Sequence, residues 1–148
     1  MDYIKDSVLT AGLLPAQPTG IPIILCSAAP RTAGLLRSAG YRECSLNREL
    51  AARLMRLPID VRLSSAQQTA HSIVAASGPA VLLTDYEMLF DPRYRLDVLR
   101  LFCHMAQTTR LCVRWCGKST ADTLEYAEPQ SPDYHVYRLS GYTAFYVK

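Results

Sequence analysis

Residues 21–36 read IPIILCSAAPRTAGLL: an apolar run, a few small residues, Pro30-Arg31-Thr32, then a second apolar segment. Near-continuous apolar character over residues 21–26 is that of a strand buried on both faces of a sheet. Gly40 sits where it ends a helix over residues 31–39. Strand, tight turn and helix together predict one unit of an α/β domain, with the turn beyond the carboxyl end of its strand. In sheets of this kind that end is where ligands collect.

The same grammar recurs along the chain. Residues 41–44 predict a brief second strand. Leu46, Leu50, Leu54 and Leu57 recur at three- and four-residue spacing, predicting an amphipathic helix stopped by Pro58. Ser64 and Gln67 form a capping-box pattern for a further helix with Ala66, Ala70, Ile73 and Val74 inward, closed by Gly78-Pro79. Residues 80–84 predict a buried strand ending in Asp85. Asp97 caps a helix whose inner stripe is Val98, Leu101, Phe102 and Met105, and residues 111–115 predict another strand. A polar turn at 117–120, a loop at 127–133 and two short aromatic strands (135–139 and 142–147) complete the chain. Before the first strand, residues 3–14 read as a short helix, and three prolines (Pro15, Pro18, Pro22) make 15–20 a linker. Alternating strands and helices imply a mostly parallel sheet covered on both sides, a three-layer α/β sandwich. The runs 21–26, 80–84 and 111–115 are its expected central, adjacent strands.

Composition narrows the class. In 148 residues, 49% of them apolar, there is material for one domain over 1–148 with a single core. No apolar run approaches the ~20 residues that span a bilayer, and the acidic start MDYIKD lacks the basic n-region of a signal peptide. The expectation is a cytoplasmic protein with no membrane contact. Five cysteines, without a C-x-x-C pair, fit small buried hydrophobes better than a disulfide framework or a zinc site. A net charge of +3 is weak footing for nucleic acid, although thirteen of the sixteen basic residues are arginine.

A phosphate-binding P-loop has the form G-x-x-x-x-G-K-[ST]. On that frame Leu25 and Pro30 replace the glycines, Arg31 replaces the lysine, and only Thr32 is retained. Such loops work by converging backbone N–H groups on phosphate at a helix N-terminus. Pro30 has no N–H, and Ala29 before it is pushed toward extended geometry. Two lost charge-assisted hydrogen bonds, at roughly 1.5–3 kcal/mol each, weaken binding by about two to four orders of magnitude. The plain alternative is a proline in the favoured first turn of a helix followed by a solvated arginine. The residues that would still meet a nucleotide are Ala28, Ala29, Arg31 and Thr32.

The second constellation is VLLTDYE, residues 81–87. In P-loop enzymes an aspartate at such a strand end orders the magnesium shell, and a neighbouring glutamate positions or activates water. Asp85 is therefore the metal-binding candidate with Thr32, and Glu87 the catalytic one. In extended backbone Asp85 and Glu87 share a face, which lets both reach one ion. The alternative is a polar strand end that caps the following turn.

The block DYEMLFDP (85–92), with LDVLRL (96–101), Trp115-Cys116-Gly117, LEYA (124–127) and SPDY (131–134), resembles the BrxF family, the small P-loop-containing proteins of type 3 BREX phage-defence systems of bacteria. The resemblance runs from about residue 22 to the C-terminus. It implies a P-loop NTPase-like fold with a degenerate phosphate-binding loop, and a role beside other BREX proteins as an assembly or regulatory factor. It also implies ATP and magnesium as ligands, held weakly or not at all. Two alternatives stand beside it: a working ATPase in which Arg31 serves for the lysine, and a DNA-contacting module using Arg93, Arg95 and Arg100. For Arg93 and Arg95 the plain account is solvated surface arginines, and the alternative is fingers reaching phosphates bound by a neighbouring copy in a homo-oligomer.

Overall fold

The computed structural model describes residues 2–4, 20–26 and 30–147. Its framework is a six-stranded sheet in the order β1-β9-β2-β5-β4-β3. The strands are β1 (Asp2–Ile4), β2 (Ile23–Leu25), β3 (Arg42–Ser45), β4 (Ala80–Thr84), β5 (Arg110–Arg114) and β9 (Phe145–Val147). Every pairing among them is parallel. Parallel neighbours need crossovers, which α1 (Pro30–Ser38), α2 (Leu46–Met55), α3 (Ile59–Ser77) and α4 (Val98–Met105) supply. The three apolar runs predicted as central strands are adjacent, in the order β2-β5-β4, each with a strand on both sides.

Strand side chains alternate between two cores. Ile24, Val81, Leu83, Leu111, Val113 and Tyr146 face the larger one, with α2, α3 and α4. Ile23, Leu25, Leu82 and Cys112 face the smaller one, where Leu36 of α1 packs. These layers follow from handedness. The chain crosses from β2 to β3 in one direction through α1, then returns from β3 through β4 and β5 to β9. With right-handed connections, reversing direction puts the crossovers on the opposite face. Beyond β5 the return path is a small antiparallel sheet of β6 (Lys118–Ser119), β7 (Thr123–Tyr126) and β8 (His135–Arg138). It packs on the larger core through Trp115, Leu124 and Tyr137.

Three local expectations are corrected. Residues 2–4 form a strand and not the start of a helix, because their backbone pairs with Phe145–Val147; the rest of the expected helix and the linker lie outside the described residues except for Gly20. The third helix begins at Ile59, directly after Pro58, so Ser64 lies inside it and its hydroxyl bonds the Val61 carbonyl at 3.1 Å instead of capping. Proline both ends one helix and opens the next there, since its fixed φ suits a first turn. The polar turn at 117–120 contains β6, whose partner strand lies in the loop-like sequence that follows. The two aromatic strands near the C-terminus belong to different sheets. By contrast, Asp97 caps α4 as expected, its Oδ1 accepting from the Arg100 N–H at 3.0 Å.

Candidate functional site

Connections from the adjacent strands β2 and β5 leave toward opposite faces, which makes the gap beyond their carboxyl ends a topological switch point. All the strands run the same way, so the ends of β2, β5 and β4 share one edge of the sheet. α1 starts at Pro30, with Arg31 and Thr32 in its first turn and Thr32 buried. Ala28 and Ala29 lie outside the described residues. Asp85 follows β4 directly. β5 stands between β2 and β4, which separates those two strands by roughly 10 Å, two strand spacings.

At the ends of β4 and β5 lies a cavity of about 240 Å³ lined by Thr84, Asp85, Glu87, Arg114, Trp115 and Cys116. Both acidic residues line it, though not in the extended geometry the sequence suggested. Asp85 has φ +47, in the left-handed region, and Glu87 opens a 3-10 turn, Glu87–Phe90. Aspartate tolerates that region better than most residues. Between the carboxylates, Tyr86 turns inward and is fully buried. Its hydroxyl donates to the Arg114 carbonyl at 2.7 Å and accepts from the Cys116 N–H at 3.2 Å, tying the end of β4 to that of β5.

Two residues that sequence reasoning missed fix the carboxylates. The Ser45 hydroxyl donates to Asp85 Oδ2 at 2.5 Å. Asn47 makes three bonds: its amide nitrogen donates to Glu87 Oε2 at 2.7 Å, its amide oxygen accepts from the Met88 N–H at 3.1 Å, and its backbone N–H donates to the Asp85 carbonyl at 2.6 Å. Both sit at the junction of β3 and α2, next to β4 on the same edge. The available signal was a pair of short polar residues, Ser45 and Asn47, around a strand-to-helix junction. Asn47→Ala strands the Met88 N–H and frees Glu87, so a loss of about 1–3 kcal/mol is expected in urea unfolding. An unchanged midpoint would mean that Asn47 is not the clamp of this turn.

Thr84 is the other missed residue. It is 7% exposed, lines the cavity, and its Oγ1 has no hydrogen-bond partner among the described residues. A buried hydroxyl left unpaired costs about 1–3 kcal/mol unless something in the cavity pairs with it. Among the described residues no cluster of three or more His, Cys, Asp or Glu side chains is fit to enclose a metal ion. Carboxylates in so small a number suit magnesium better than an enclosed ion, since magnesium keeps several waters and shares its shell with ligand phosphates. Cys116 is exposed, yet desolvation at the cavity pushes its thiol up to about 11, and the Glu87 carboxylate adds in the same direction.

The arginines proposed for phosphate or DNA contact are largely engaged elsewhere. Arg93 pairs with Asp91 at 2.7 Å, and Arg100 lies over the Tyr142 ring and donates to the Gly141 carbonyl. Arg95 is exposed, at φ +53. Among the described residues no helix is long and apolar enough to cross a membrane. No family model, curated protein or solved structure matches the chain.

Proposed function

We propose that this chain is a P-loop-derived subunit of a type 3 BREX phage-defence assembly, binding nucleotide weakly and serving as an assembly or regulatory factor. The observation that carries the nucleotide reading is the convergence of Thr84, Asp85 and Glu87 on one cavity, at the sheet edge where the degenerate loop enters α1. Asp85 suits the hydrated shell of a divalent cation, and Glu87, held by Asn47, suits a water beside it. When bound, magnesium would supply charge neutralisation for phosphate oxygens. The phosphate side is poorer, because α1 begins with a proline that offers no N–H. Support for the BREX assignment is the DYEMLFDP block and the segments that follow it.

Calorimetry with ATP and magnesium tests the nucleotide reading. The expected result is a weak or undetectable heat. A dissociation constant in the low micromolar range, lost on Arg31→Ala, would replace this reading with a working ATPase in which arginine serves for lysine. Co-expression with the other proteins of a type 3 BREX system tests the assignment, and failure to co-elute with any of them counts against it.

A further inference from the structure

At the tip of the α2–α3 hairpin four large apolar side chains face solvent: Met55 is 73% exposed, Ile59 77%, Leu63 42% and Val61 37%. Ala51 and Met55 form a ridge at i, i+4 spacing on α2, and Ile59 and Leu63 form a matching one on α3. Between the ridges runs an open groove of about 410 Å³, with Met88 and Tyr94 on its floor. A monomer gains nothing by leaving such side chains in water, and clustered exposure of this kind marks interaction surfaces. Two of the lining residues are methionines, whose flexible thioethers adapt to a docked side chain.

The charge around the groove says what kind of partner fits. Residues 46–63 carry four arginines against Glu49 and Asp60. Glu49 is taken by Arg53 at 2.7 Å. Among the described residues Arg48, Arg56 and Arg62 enter no ion pair. Arg62, in the groove wall, donates only to the neutral carbonyls of Leu57 (2.9 Å) and Met55 (3.2 Å), so its charge is fixed in place and uncompensated. The groove is thus lined by apolar side chains with Arg62 in its wall and Arg93, paired with Asp91, beside it, and the exposed Arg56 follows Met55 at the end of α2.

We infer that this groove seats an amphipathic α-helix of a partner protein, with apolar side chains between the two ridges and carboxylates facing Arg56 and Arg62. Apolar side chains of two helices lining one open groove are the receptor arrangement of helix-in-groove recognition, and complementary charge sets partner choice and encounter rate. Met88 ties the groove to the carboxylate turn, since it follows Glu87 and its N–H is held by Asn47. The docking itself does not depend on whether the carboxylates bind anything.

The test uses the full chain and three labelled peptides of about 18 residues, long enough for marginal helicity. One has leucine at i, i+3, i+4 and i+7 with glutamate elsewhere on the polar face. The second replaces those glutamates with lysine, and the third replaces the leucines with glutamine. Fluorescence anisotropy is expected to show the acidic amphipathic peptide binding in the micromolar range, at least tenfold tighter than either control. Ile59→Glu, at an exposed position, is expected to leave the urea midpoint unchanged and weaken that peptide at least tenfold. Arg56→Glu is expected to narrow the preference for acid over base. Equal binding of the acidic and basic peptides, no binding of the acidic one, or binding indifferent to Ile59→Glu would overturn the inference. So would light scattering that shows a dimer dissolved by Ile59→Glu, which would make the occupant a second copy of this chain.

Discussion

Gly117→Ala is expected to lower stability by about 3 kcal/mol, at the top of the range for overpacking. A Cβ at Gly117 would overlap the Glu125 carbonyl oxygen, lie 3.0 Å from the Glu125 carbonyl carbon, and sit 3.2 Å from the Trp115 ring nitrogen. None of these atoms gives way easily. Glu125 is main chain in the middle strand of the small sheet, paired with Lys118 on one side and Val136 on the other. The Trp115 ring nitrogen donates to the Lys118 carbonyl at 2.9 Å, closing the same turn. Relief therefore requires β6 and β7 to separate, which also displaces Cys116 at the candidate cavity. Gly34→Ala is the control. Gly34 lies inside α1 with nothing within 4 Å of its Cβ position, so alanine there should stabilise by up to about 1 kcal/mol through helix propensity. Urea unfolding reads both, and opposite signs are expected. A Gly117→Ala protein as stable as the parent would mean that the turn has room its geometry denies.

The main sheet was legible in the sequence because its strands are buried on both faces. Residues 80–84 are apolar at four of five positions and buried at all five, so neither helix periodicity nor alternation competed for them. In the small sheet only β8 was legible, as the strand predicted over 135–139; β6 and β7 were not, for the converse reason. β6 has two residues, and β7 is half-buried with mixed polarity, so their pairing is set by the Gly117 turn and by packing against Trp115 and Phe90 rather than by a local pattern. At the site, Asp85 and Glu87 were visible as carboxylates at a strand end. Their left-handed and 3-10 backbone was not, because it is imposed by Asn47 and Tyr86, one from another strand junction and one bonded 28 residues away. Hydrogen bonds between elements distant in sequence leave no local signature, and those are the bonds that aim this pair of carboxylates.

Phe90→Ala is expected to cost about 3–5 kcal/mol, the range for emptying a buried phenylalanine site. Phe90 is 1% exposed and joins the two sheets. Its ring stacks on Tyr126 of β7 at 3.8 Å between centroids and 9° between planes, and meets Trp115 edge-on at 6.0 Å. Behind it, Tyr86 lies at 6.2 Å. The same residue ends the 3-10 turn that begins at Glu87, so removing the ring loosens the backbone that carries the second carboxylate. Two readouts separate these consequences. The urea midpoint gives the stability loss, and near-ultraviolet circular dichroism should collapse toward the unfolded signal in the region of Trp115 and the clustered tyrosines. Phe90→Leu keeps most of the volume and should cost less than about 1.5 kcal/mol. If Phe90→Ala and Phe90→Leu were equally mild, the small sheet would be held to the main one by its chain connections rather than by this ring, and Glu87 would owe its position to Asn47 alone.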